Sequence, residues 1–240
     1  MTTIEPDDVN IWHASLDLPA EQIEALGGAL SPDERERAGR FVRAADSRRF
    51  IAGRGILRSL LSRATGVEPS SVSFAYNEYG RPFLAPVSGL PMVIFNVSHS
   101  AGKALYALSA RAPVGIDLER IRPSPNFSGI AERFFTPAEA SALRSLPERQ
   151  RLDAFFTCWT RKEAFVKAVG KGLYSRLDHV EVSLLPGEPP AILRIADGGE
   201  DARDWRMFDI DAGDGYKAAV AVKSRHPRLI THQFHVDGQR

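Results

Sequence analysis

The chain has 240 residues, 43% hydrophobic and 25% charged, with a single cysteine. That length and composition fit one large or two small globular domains that bury enough surface to need no disulfide or metal staple, which excludes a disordered chain and a cystine scaffold. Basic and acidic residues number 31 and 30, so a formal charge of +1 supplies no global field for nucleic acid or an anionic membrane.

No apolar run reaches the roughly 18 to 20 residues of a membrane span, and MTTIEPDDVN is acidic where a secretion signal starts basic. A cytoplasmic location is expected. An alternating stretch runs from Val9 to Leu18, followed by a helix from about Ala20 to Leu30 and a capped helix from Pro32. Asp46 suits the cap of a long helix that buries Phe50, Ile51, Ile56, Leu57, Leu60 and Leu61 and stops near Gly66. Short strands are predicted over Val72 to Tyr76, Val93 to Val97, Ala104 to Leu108 and Val114 to Leu118, with a turn at Tyr79-Gly80-Arg81-Pro82. Pro123 and Pro125 mark a connection. Beyond it come a helix from Thr136, a long helix from Asp153 to Val169, and strands over Val180 to Leu185, Ile192 to Ile195, Trp205 to Ile210 and Tyr216 to Val222. The tail from Ser224 carries no motif. The pattern is α+β.

Ser31-Pro32-Asp33-Glu34 and Thr136-Pro137-Ala138-Glu139 are both capping boxes with proline at the first helical position, 105 residues apart. Phe50 falls on Phe155 and Leu60 on Phe165 at the same offset, which points to an internal duplication. Charge is uneven: Ser31 to Arg63 holds nine arginines against four acids, either a solvated helical face or an anion site. Cys158, within Phe155-Phe156-Thr157-Cys158-Trp159, reads as a small buried hydrophobe.

Three segments carry candidate chemistry. In Val114-Gly115-Ile116-Asp117-Leu118-Glu119, the alternation of a strand sends Asp117 and Glu119 to one face. Two such carboxylates ionise together when a cation compensates, and an all-oxygen pair favours a hard ion such as Mg²⁺; a solvated strand end is the alternative. On the helix after Asp153, Phe155, Cys158, Trp159, Phe165, Val166 and Val169 form an apolar arc with Glu163 and Lys167 at its edge. Those two are either an ordinary helix ion pair or part of a site. Lys162 falls inside the arc, where a lysine snorkels or meets an anion. Gly170-Lys171-Gly172 suits a helix stop or a close phosphate approach. In Asn96-Val97-Ser98-His99-Ser100, Ser98 and His99 point to opposite faces, and no G-x-S-x-G elbow exists, which argues against a serine hydrolase. A hydroxyl and an imidazole at a strand end are donors to a phosphate, or simply surface groups.

Taken in order, Tyr79-Gly80-Arg81-Pro82, Phe95 to Ser100, Gly115 to Glu119, Arg133-Phe134-Phe135-Thr136 and Trp159-Thr160-Arg161-Lys162-Glu163-Ala164 resemble the 4′-phosphopantetheinyl transferases of the Sfp type, marked by W-x-x-K-E-A. The resemblance runs from about Ser31 to Val222. It implies an α+β pseudo-dimer of two similar halves, each a long helix packed on a small antiparallel sheet, with a ligand cleft between them. The implied halves are 1–118, for coenzyme phosphate and nucleotide contacts, and 119–240, for the catalytic helix.

The implied reaction is Mg²⁺-dependent transfer of the 4′-phosphopantetheine arm of coenzyme A to a serine of an apo carrier protein, releasing 3′,5′-ADP. By the same resemblance, Asp117, Glu119 and Glu163 hold the metal, and Asp117, Glu163 and Lys167 form the catalytic set. Glu163 is the favoured proton acceptor, with Glu139 or a water as alternatives. Lys167 grips the pyrophosphate, Ser98 and His99 the nucleotide phosphates, and Arg81 with the backbone of Tyr79 and Gly80 the nucleotide. Arg37 and Arg49 reach coenzyme phosphates, and Lys162 and Lys171 join the cations that face the coenzyme. Glu34 stands where relatives often carry lysine, so one contact is expected to be missing, with Lys171 or Arg35 substituting. The partner is a carrier protein that docks by an acidic helix, neither nucleic acid nor membrane takes part, and duplication favours a monomer. Two rival readings are a metal-dependent nuclease, which wants an acid-x-lysine pair where Arg120 and Ile121 follow Glu119, and a non-catalytic coenzyme or carrier-binding module, which three acids would hinder.

Overall fold

The computed structural model describes residues 4–86, 89–123, 126–170, 177–196 and 199–236. The first alternating stretch is strand β1 (Asp8–Ser15), and helices α1 (Ala20–Gly27) and α2 (Pro32–Gly39) follow it. Proline's fixed φ suits the first position of α2, and the Glu34 carboxylate accepts the Ser31 N–H at 3.0 Å. Helix α3 (Ala44–Thr65) starts earlier than expected, so Asp46 lies in its first turn, near the positive end of the helix dipole, instead of capping it. Gly66 ends it with φ of 78°, a left-handed conformation that glycine adopts without strain.

A hairpin of β2 (Phe74–Tyr76) and β3 (Pro82–Leu84) turns through Gly80, at φ 79°. Strands β4 (Ile94–Ser100), β5 (Lys103–Ser109) and β6 (Val114–Arg120) come next. Helix α4 (Phe127–Phe134) carried no predicted counterpart, being short and without a cap hydrogen bond. The Thr136 box opens α5 (Pro137–Ser145) as expected, with the Thr136 hydroxyl accepting from the Glu139 N–H at 3.2 Å. Helix α6 (Glu148–Val169) begins directly after Pro147 and ends at Gly170, φ 82°. The chain finishes with β7 (Val180–Val182), β8 (Ile192–Ile195), β9 (Arg206–Asp209), β10 (Tyr216–Val222) and β11 (Arg228–Gln233).

One four-stranded sheet has the order β11-β1-β5-β4, and a three-stranded sheet has the order β6-β10-β9. The expected antiparallel first sheet is mixed instead, because β11 pairs parallel with β1, from Asp8 opposite Arg228 to His13 opposite Gln233. A parallel pair needs a long connection, and here nearly the whole chain supplies it. The sheets pack face to face over Val9, Ile11, Leu105 and Ala107 on one side and Ile116, Leu118 and Val220 on the other. Helix α3 covers the outer face of the first sheet with Ala52, Ile56 and Leu60, and α6 covers the second with Phe165 and Ala168. The layers run helix, sheet, sheet, helix. The expected junction after residue 118 falls inside β6, whose seven residues all pair with β10.

Both long helices have 22 residues. Arg58 of α3 donates to the Glu34 carboxylate of the box before it at 2.7 Å, and Lys162 of α6 donates to Glu139 of the second box. All four side chains are at least nine-tenths buried.

Candidate active site

Strand β6 presents Asp117 and Glu119 towards α6 because Ile116 and Leu118 are drawn into the core between the sheets. The approach of strand to helix is close: a Cβ on Gly115 would lie 2.1 Å from the Ala164 carbonyl oxygen and 2.3 Å from the Ala168 nitrogen. Glycine at 115 lets Lys167 reach across from α6. Its Nζ donates to Asp117 Oδ1 at 2.6 Å, to the Ile116 carbonyl at 3.2 Å and to Ser98 Oγ at 3.0 Å. Asp117 is 4% exposed, and its Oδ2 accepts no hydrogen bond among the described residues.

A pocket of about 380 Å³ is walled by Val97, Ser98, His99, Asp117, Glu119, Trp159, Glu163 and Lys167. Thus the strand acids, the helix pair and the Ser-His segment share one cavity. Burial, followed by the charge of Asp117, raises both the Glu163 and the Glu119 carboxyls above their ordinary range. Burial and then the Lys167 ammonium lower the His99 imidazole below its ordinary range. Next door, a cavity of about 650 Å³ is lined by Arg37, Phe41, Arg49, Phe50, Arg81 and His99, so cations and aromatic rings meet in a space that His99 shares with the acid pocket.

Strands β4 and β6 are edges of different sheets, yet side chains join them. Asn96 Oδ1 accepts the Ile116 N–H at 2.9 Å, Ser98 Oγ the Leu118 N–H at 3.1 Å and Ser100 Oγ the Arg120 N–H at 3.0 Å. Each serine hydroxyl then donates to a carboxylate, Ser98 to Asp117 Oδ1 at 3.0 Å and Ser100 to Glu119 Oε2 at 3.1 Å. This seam and Gly115 carried no assigned role from sequence, although polar residues at every second position from Asn96 to Ser100 did mark a polar strand face.

Several expected contacts are committed elsewhere. Lys162 is fully buried on Glu139 and the Val180 carbonyl and does not line either cavity, a correction whose cause is the anion that the apolar arc demanded. Glu139, itself 3% exposed, also accepts from the Thr136 and Val182 N–H groups, which leaves it no access to a proton in the pocket. Arg81 donates to the Ala168 and Val114 carbonyls, both at 3.1 Å, although it still borders the larger cavity. Arg49 pairs with Asp17 at 2.6 Å, and Arg37 stacks over the Phe50 ring at 5.2 Å; both line that cavity. Glu34, where a lysine was anticipated, binds Arg58 and Arg54, and Arg35 donates to the Leu30 carbonyl. Tyr79 and Gly80 lie exposed on the hairpin turn, and Lys171 falls outside the described residues. Cys158 is buried, and burial pushes its thiol far up, as a small hydrophobe requires.

As they stand, the described residues form no group of three or more acid, histidine or cysteine side chains drawn close enough to chelate an ion. The donor chemistry nonetheless suits a hard cation: three carboxylates open on one pocket, one oxygen buried without a partner, and Lys167 supplying one positive charge against three negative.

A cavity of cations and aromatics adjoining a carboxylate pocket, with strand acids and a tryptophan-bearing helix on either side, suits an enzyme acting on a phosphorylated substrate. The family models agree on which one: residues 13–111 match the N-terminal region of 4′-phosphopantetheinyl transferases, and residues 113–221 match the 4′-phosphopantetheinyl transferase superfamily. The chain belongs to the 4′-phosphopantetheinyl transferases and is an enzyme of that family. Among its relatives, 4′-phosphopantetheinyl transferase HetI of Nostoc sp. is 41% identical over 92% of this chain and 90% of its own length. The Sfp enzyme of Bacillus subtilis is 35% identical over 88% of each chain. The human L-aminoadipate-semialdehyde dehydrogenase-phosphopantetheinyl transferase is 32% identical over 82% of this chain and 70% of its own.

Proposed function

We propose that this enzyme transfers the 4′-phosphopantetheine arm of coenzyme A to a serine hydroxyl of an apo carrier protein, releasing 3′,5′-ADP in a Mg²⁺-dependent reaction. The serine oxygen forms a bond to the phosphorus that bears the pantetheine, and the bond from that phosphorus to the bridging oxygen breaks. The observation that carries the reading is the convergence of Asp117, Glu119, Glu163, Lys167 and His99 on one pocket beside the cation-lined cavity. The two halves, one on each long helix, form the pseudo-dimer, and the coenzyme lies between them.

Arg37 and Arg49 face the coenzyme phosphates in the larger cavity, and Phe41 and Phe50 offer it apolar surface. His99, open to both spaces, donates to a phosphate. Lys167 moves part of its charge from Asp117 to the diphosphate. Asp117, Glu119 and Glu163 would hold the divalent ion, which when bound neutralises charge building on the leaving phosphate. Glu163, on the wall of the acid pocket, takes the serine proton, directly or through a water.

The test is the mass of an apo carrier protein incubated with the enzyme, coenzyme A and Mg²⁺. It should rise by one phosphopantetheine, and Asp117→Ala should abolish the gain while leaving the circular dichroism spectrum unchanged. Full transfer by Asp117→Ala, or undiminished transfer in excess EDTA, would refute the metal assignment; no mass gain on any carrier would refute the substrate assignment.

A further inference from the structure

Asp117 and Glu119 are held differently. Asp117 is short, buried and gripped by two donors, Ser98 and Lys167. Glu119 has one more rotatable bond and is only partly buried; among the described residues its hydrogen-bond donor is the Ser100 hydroxyl, at 3.1 Å. A hydroxyl has one proton and two lone pairs, so the direction of each bond at Ser100 follows from its partners. The Arg120 N–H, which can only donate, occupies one lone pair at 3.0 Å, and the carboxylate, which can only accept, receives the proton. The serine itself is fixed by β-pairing, with Ser100 opposite Lys103 at the end of the β4–β5 hairpin.

We propose that Ser100 is a positioning residue that orients the Glu119 carboxylate towards the pocket for a divalent cation, an inference that rests on the metal role proposed above. The hydroxyl acts through Glu119 and does not reach the ion. Its bond restricts the carboxylate to one rotamer before the ion arrives, so less conformational freedom is lost on binding. Asn96 provides the comparison. It makes the same kind of seam bond, to the Ile116 N–H at 2.9 Å, but donates to no carboxylate of the site. A seam function alone predicts that Asn96 and Ser100 behave alike; an orienting function separates them.

Binding of Mn²⁺, used as a paramagnetic substitute for Mg²⁺, is followed by electron paramagnetic resonance in the purified full chain, with and without saturating coenzyme A. Ser100→Ala should weaken Mn²⁺ binding by about tenfold or more, the scale set by partners that orient metal ligands. Ser100→Thr, which keeps the hydroxyl, should restore it, and Asn96→Ala, whose side chain also borders the larger cavity, should lose clearly less Mn²⁺ affinity than Ser100→Ala while lowering the melting temperature about as much. Equal Mn²⁺ affinity in Ser100→Ala and the unaltered protein, or an equal loss in Asn96→Ala, overturns the orienting role and leaves the metal reading standing. Absence of Mn²⁺ binding by the unaltered protein in both conditions overturns the metal reading, and this inference with it.

Discussion

Lys162 has no solvent exposure and its ammonium rests on Glu139, so neither charge can turn to water if the other is removed. Breaking a buried pair from one side costs about 3–5 kcal/mol, far more than the pair contributes over an apolar replacement. Lys162→Met is therefore expected to lose stability of that order in denaturant unfolding, and Lys162→Met combined with Glu139→Gln, which removes the unpaired charge but keeps an acceptor for the Thr136 and Val182 N–H groups, to recover part of it. A destabilisation below about 1 kcal/mol for the single variant would return Lys162 to the list of groups available to a ligand. At Gly115 the issue is volume. A methyl there would meet the Ala164 and Ala168 backbone, which cannot rotate away as a side chain end can. Overpacking of that kind costs about 1–3 kcal/mol, so Gly115→Ala should lower the unfolding midpoint and also displace Asp117 from Lys167, reducing transfer more than a stability loss alone explains. Neither effect is visible in residue types: lysine in an apolar arc signals an anion without saying whether a carboxylate or a ligand provides it.

Between elements, a few long-range bonds do much of the positioning. Asn77 Nδ2 donates to the Gly170 carbonyl at 3.0 Å, and Arg81 to the Ala168 and Val114 carbonyls, so the β2–β3 hairpin is clasped to the end of α6 and the start of β6. Hydrogen bonds from a charged donor contribute about 1.5–3 kcal/mol. Arg81→Ala should free the hairpin, seen as faster proteolytic nicking near Tyr79, and an unchanged digestion pattern would show that the clasp is idle. Strand β11 has a pH-sensitive hold. The Arg228 guanidinium, bonded to Asp8 at 2.7 and 3.0 Å, keeps that carboxyl below its ordinary value of 3.8. A carboxyl that is more acidic folded than unfolded adds stability above the unfolded value and loses it as pH falls through the folded one. Acidification below about pH 4 should thus lower the amide protection factors across β11, the observed rates being referred to the slower intrinsic exchange in acid. Asp8→Asn should exchange fast already near neutrality and lose most of this pH response. The strand itself had no counterpart in the sequence reading because its partner, β1, lies over two hundred residues away, beyond any local pattern.

On the scale of the molecule, the proposed coenzyme site draws walls from α3, β4 and the hairpin, while the acids come from β6 and α6. A ligand touching both groups ties these elements together and opposes their unfolding. At a coenzyme concentration a hundred times its dissociation constant, stability should rise by about 2.7 kcal/mol. For a chain of this size that is a melting shift of roughly 5–10 °C. Arg37→Ala and Arg49→Ala should each shrink the shift, since both guanidinium groups line the larger cavity. A shift unaffected by either change would place the coenzyme phosphates elsewhere.

Local chemistry determined much of this. The two boxes opening at Pro32 and Pro137, the left-handed stops at Gly66 and Gly170, and the alternation that puts Asp117 and Glu119 on one face all follow from backbone sterics and periodicity, which act over a few residues. Whether a charged group ends in a site or in the core was decided by contacts between residues far apart in the chain. Glu163 and Lys167 came to face the β6 acids, whereas Lys162, a neighbour on the same helix, was taken up by Glu139, because one helical step of 100° turns a side chain from cavity to core. The seam of Asn96, Ser98 and Ser100 against β6 likewise exists only once two sheet edges meet, and burial of those edges is what makes every amide there require a partner.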